Sequence, residues 1–156
     1  MDWDKHFRKY VWDDDKTPYF TSVSKLTRRQ ASNEIYVFAL FLGTLFCVVA
    51  VLANTGALPH GRSFAVALYA FSVVCAAIII AFTKHSLAAW YCGFAPVAAL
   101  IYFYLFGFHP SSGAVDHVVI LVLVALWLRY SWRVITIGMR FEDMPEAEAK
   151  KRHDDW

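Results

Sequence analysis

A chain of 156 residues that is 58% hydrophobic and only 18% charged lacks the polar residues needed to cover a water-soluble domain of that length. Its formal net charge of +2, with no long run of basic residues, gives no electrostatic footprint for nucleic acid. The cysteines Cys47, Cys75 and Cys92 fall one to each of three apolar runs with no CxxC pair, so they offer no disulfide framework and read as small hydrophobes.

Residues 1–34 are polar and mixed in charge, without the short apolar core and small-residue cleavage site of a secretory signal, so the first hydrophobic run is expected to stay as an anchor. Within this segment Trp3, Phe7, Tyr10 and Val11 recur at helical spacing while Lys5, Arg8 and Lys9 take the remaining surface. That pattern predicts a short helix lying on the membrane interface or on a partner. Thr27-Arg28-Arg29-Gln30 matches a capping box, which starts the first long helix a turn or two ahead of the apolar run.

Residues 35–53 contain no charged residue and no amide, and a helix of that length is about as long as a hydrocarbon core is thick. Residues 63–83 and 86–108 are equally free of charge and long enough to cross. Only Thr83-Lys84-His85-Ser86 lies between them, which forces an antiparallel hairpin. Pro96 is expected to kink the third span and free a carbonyl that a neighbour must satisfy.

The fourth span, about 115–137, is the least obvious, because its uncharged stretch 118–128 is bracketed by Asp116 and His117 on one side and Arg129 on the other. The distribution of basic residues decides the matter. With four crossings, fourteen of the fifteen Lys and Arg residues fall on one side and only Arg62 on the other, as the positive-inside bias requires. Arg129 and Arg133 then reach the inner headgroups by snorkelling, with Trp127, Tyr130 and Trp132 as an aromatic belt. After Pro145, the run EAEAKKRH reads as a solvated helix with Glu and Lys or Arg at the favourable i,i+4 spacing.

The expected fold is therefore all-α: a four-helix transmembrane bundle over residues 35–137, between an interfacial segment 1–34 and a tail 138–156, with both termini cytoplasmic. A bacterial inner membrane is the expected location.

Chemistry is sparse. No Asp, Glu, Lys, Asn, Gln or His lies deep in any of the first three spans, which speaks against an ion or proton path made by this chain alone. Small multidrug transporters also have four helices, but they carry an acidic residue in the first, and this first helix is expected to have none. One candidate site is the outer set His60, His109, Asp116 and His117, whose imidazoles and carboxylate are natural ligands for zinc, copper or iron. The plainer reading makes the histidines loop residues and Asp116 the complement to a helix dipole. A b-type haem would want paired histidines inside facing spans, whereas these sit at span ends. The other candidate is the inner stripe Arg129, Arg133 and Arg140, suited to anionic lipid or to an acidic surface on a neighbouring subunit.

Small residues at Ala39, Gly43, Cys47 and Ala50 and at Ala88, Cys92, Ala95 and Ala99 predict close-packing faces on the first and third spans. The branched fourth span offers no such groove and is expected to face lipid or another protein. These features point to a non-catalytic accessory or assembly subunit of a respiratory, photosynthetic or transport complex, which requires no cofactor. Its partners would be membrane lipids and other subunits, contacted through Trp3, Phe7, Tyr10 and the three arginines. The alternatives are a redox or metal protein using the outer histidines, and a self-assembling pore or carrier.

Overall fold

The computed structural model describes residues 21–58, 60–108 and 111–146, and these are helical throughout their ordered elements. Five helices follow in order: α1 (Arg28–Thr55), α2 (Phe64–Thr83), α3 (Ser86–Gly93), α4 (Ala95–Phe106) and α5 (Ala114–Arg140). Short 3-10 turns, Val23–Lys25 and Phe141–Asp143, flank them. With α3 and α4 taken together over Ser86–Phe106, four helices are long and apolar enough to cross a bilayer. The interfacial helix expected around Trp3, Phe7 and Tyr10, and the tail helix beyond Glu146, lie outside the described residues.

Each helix end has a local cause. Thr27 and Gln30 form the expected capping box: the Thr27 N–H donates to Gln30 Oε1 at 3.0 Å, and the Gln30 N–H to Thr27 Oγ1 at 3.4 Å. The first helix thus starts at Arg28, ahead of the apolar run. Gly56 ends it in the left-handed conformation, φ 80°, donating to the Leu52 carbonyl. Ser63 caps α2 by accepting from the Val66 N–H. The chain turns at Lys84, a left-handed residue with a side chain (φ 54°). Its ammonium lies 3.7 Å from the centroid of the Tyr36 ring and also donates to the Ala81 carbonyl, contacts that offset the cost of that backbone. His85 then opens α3, its Nδ1 accepting from the Leu87 N–H at 3.3 Å.

The third long apolar helix, Ser86–Phe106, is broken rather than gently bent. Pro96 has no N–H, so the ladder stops at Phe94 and restarts at Ala95. Phe94 donates back to Trp90 and accepts from Val97, both at 3.0 Å, serving each half-helix at once.

The most extensive contact joins α1 to α2. Phe38, Leu42 and Phe46 of α1 are buried in the same core as Ala70, Ala77 and Ile80 of α2, large side chains on one helix and mostly small ones on the other. This corrects the expected packing face of the first span. Of the four small residues expected to line that face only Ala39 is buried; Gly43 and Ala50 are half-buried and Cys47 is exposed, because the helix is rotated to present its large residues inward. On the third span the expectation holds for Ala88, Cys92 and Ala95, all buried, while Ala99 is half-buried.

The last helix packs by only one of its halves. Ser131, Val134, Ile135, Ile137 and Gly138 are buried, and two close approaches to α3 fix their position. A Cβ on Gly138 would stand 2.7 Å from that of Ala89, and one on Gly93 would stand 2.6 Å from Ile135 Cγ1. In the other half only Val124 is buried, and branched residues such as Val118, Leu121, Val122 and Leu126 are exposed.

Candidate functional site

The chemistry-bearing residues gather where the chain enters and leaves the bundle. Glu34 lies in the second turn of α1 and is 1% exposed. Arg133 comes from the buried half of α5 and meets it as a fork: Nε donates to Glu34 Oε1 at 2.5 Å and Nη2 to Oε2 at 3.1 Å. The remaining nitrogen, Nη1, donates to the Thr21 carbonyl at 2.7 Å, which pins the segment ahead of α1 to α5. Phe38 and Tyr130 close the layer beneath with an edge-on contact, ring centroids 5.8 Å apart.

A second set of contacts ties the same two flanks together at the surface. The Arg28 backbone N–H donates to the Pro145 carbonyl at 2.9 Å, and its guanidinium donates to the Glu142 carbonyl at 2.8 Å and pairs with Glu146 at 3.3 Å. Leu26 and Met144 are buried beside these contacts and join the core. The entrance to α1 and the exit from α5 therefore share one end of the bundle, the arrangement that an even number of long helices produces.

This pairing corrects one statement read from the sequence. The first helix does hold a buried acidic residue: Glu34 precedes the apolar run by one position, but the helix begins six residues earlier, at Arg28. The signal was present, since Glu34 and Arg133 are opposite charges near the same boundary of an even-numbered bundle. Chemically the pair is closed. Both carboxylate oxygens accept from the guanidinium, so Glu34 acts as a structural anion rather than as a base facing a substrate.

The three arginines expected to form one stripe have different surroundings. Arg133 turns inward, whereas Arg129 and Arg140 are exposed. The outer candidates are dispersed among aromatic rings. Asp116 caps α5, its Oδ2 accepting from the Gly113 N–H at 2.8 Å, as its place in the first turn implied. The His117 ring stacks on Phe108 with centroids 4.2 Å apart, and its Nε2 is buried with no hydrogen-bond partner among the described residues. His60 lies against Phe106 and Tyr102 at 5.4 and 5.9 Å. His109 lies outside the described residues. Among the described residues no three His, Cys, Asp or Glu side chains converge as a metal site would require.

Comparison with protein-family models, with curated proteins and with solved structures found no match to this chain. Its functional reading therefore rests on its own residues.

Proposed function

We propose that this chain is a multi-pass protein of the cell inner membrane, with both termini cytoplasmic, that serves as a non-catalytic accessory or assembly subunit of a larger membrane complex. The observation that carries the reading is the divided last helix. Its inner half is locked into the bundle by Arg133, Gly138 and Ile135, while its outer half presents branched side chains that its own bundle does not cover. Such a surface suits the flank of another membrane protein.

Insertion and orientation are supported by two further features. The four long apolar helices carry large exposed hydrophobic side chains of the kind that lipid solvates. Lys25, Arg28, Arg29, Lys84, Arg129, Arg133 and Arg140 cluster toward the end where Arg28 meets Pro145, and Arg62 lies toward the other, a distribution that supports reading the first end as cytoplasmic under the positive-inside bias.

Gentle detergent extraction followed by native mass measurement tests this. We expect a discrete assembly of fixed stoichiometry that releases the chain when Val118→Trp and Val122→Trp roughen the outer half of α5. A 17.8 kDa monomer that ignores those substitutions would overturn the accessory reading, and multiples of that mass alone would replace it with a self-assembled pore or carrier.

A second reading, a metal or haem held by the outer histidines, is favoured by the buried unpartnered Nε2 of His117. A stoichiometric metal or a haem absorption band that disappears with His117→Ala would establish it in place of the first.

A further inference from the structure

We infer that Arg129 and Trp132 form a binding site for the headgroup of one anionic phospholipid on the cytoplasmic leaflet. The inference rests on the reading that α5 crosses the membrane. Counting about 20 residues of helix for a hydrocarbon core of about 30 Å places the inner boundary near residue 134 when α5 enters at Ala114. Arg129 then starts about 7 Å inside that boundary, five residues at about 1.5 Å each, which is within the reach of its own side chain.

The arginines near this boundary differ in what compensates them. Arg133 is neutralised from within the protein by Glu34, and Arg28 pairs with Glu146. Arg140 ends α5, about three turns beyond Arg129 at 3.6 residues per turn, and so extends past the apolar region. Arg129 is exposed and makes no ion pair with any described residue, although it is the deepest of the four. A guanidinium at that depth calls for an anion from outside the chain.

Trp132 supplies the second half of the site. It lies three residues on, a neighbour of Arg129 on the helix surface, and is 61% exposed. Its ring is braced edge-on against Trp90 at 6.0 Å, and Trp90 stacks on Phe94 at 5.7 Å. A fixed indole at headgroup depth beside a free guanidinium offers a wall for the glycerol region and a two-donor fork for phosphate oxygens. All phospholipids carry the phosphate. Only a lipid with net negative charge also cancels the uncompensated charge of Arg129, so the site prefers phosphatidylglycerol to phosphatidylcholine.

The test measures lipid retention by native mass spectrometry on the full-length protein, purified with phosphatidylglycerol and phosphatidylcholine supplied in equal amounts. The wild type should hold one phosphatidylglycerol in preference to phosphatidylcholine. Arg129→Gln should lower that retention about fivefold, the effect of one basic residue at a membrane surface. Arg140→Gln should leave it unchanged, and Arg129→Lys, which keeps the charge without the fork, should fall between and serve as the folding control. Equal retention of both lipids, or an Arg129→Gln protein as lipid-bound as the wild type, overturns the site. If Arg129→Gln instead dissociates a larger complex while lipid retention holds, a partner carboxylate occupies Arg129 and the lipid assignment is wrong. Carbonate extraction separates these failures from that of the underlying reading: a chain stripped from vesicles by carbonate does not span them.

Discussion

Glu34 and Arg133 stand 99 residues apart in the sequence and are joined by two hydrogen bonds, of 2.5 and 3.1 Å, from one guanidinium to one carboxylate. The geometry sets both the rotation of α1 and the depth of α5, because a planar fork meets two oxygens in few orientations. Apolar side chains around it tolerate sliding, whereas the fork does not.

Breaking the pair from either side should be costly but unequal. The Glu34 side chain is 1% exposed and cannot reach water, while that of Arg133 is 19% exposed and can. We expect Arg133→Leu to cost about 3–5 kcal/mol and Glu34→Leu less, with the double substitution recovering much of the loss. Denaturant unfolding of the detergent-solubilised variants checks the order, and a double variant no better than Arg133→Leu would refute it.

The surface pair Arg28–Glu146 makes a contrasting case. Its side chains are 40% and 85% exposed, and exposed ion pairs contribute about 0–1 kcal/mol. Glu146→Gln should therefore leave stability nearly unchanged in the same assay, since the backbone bond from Arg28 to Pro145 survives it.

Three helical glycines should respond in opposite directions to alanine. Gly138→Ala pushes a methyl to 2.7 Å from the Ala89 Cβ, and Gly93→Ala pushes one against Ile135, so each should lose about 1–3 kcal/mol as α3 and α5 separate. Gly43 has nothing within 4 Å of such a methyl, and Gly43→Ala should gain about 0.5–1 kcal/mol from helix propensity alone. Thermal unfolding of the three variants distinguishes packing from propensity.

The hydrogen bond between Ser72 and Tyr91, 2.6 Å long, links α2 to α3 among otherwise apolar surfaces. Ser72→Ala and Tyr91→Phe should each cost about 0.6 kcal/mol, and the double variant hardly more than either alone, as a cycle of unfolding measurements would reveal.

Much of this architecture was legible where local rules govern. The Thr27–Gln30 capping box is found as expected, and the positions of Asp116 and Pro96 marked a helix start and a disturbed helix, where a cap and a full break are found; each depends on residues within a turn of one another. Helix rotation was less legible. In α1 and α2 nearly every face is apolar, so no amphipathic period separates Phe38 and Leu42 from Gly43 and Cys47, and only packing against a partner helix decides between them. The Glu34–Arg133 fork was hidden for a related reason: ending a span at its last apolar residue excludes the charge that the next turn carries. Arg129, which has no ion pair among the described residues, could be separated from Arg133 only once the partner of the latter was known.

The distance along the chain between Glu34 and Arg133 also has a consequence in time. At about 5–20 residues per second, a ribosome that has just made Glu34 needs about 5–20 s more to supply the arginine that neutralises it. During that interval the first three long apolar helices are synthesised while the carboxylate still depends on water. The first helix should therefore settle into its final packing only when the last one arrives.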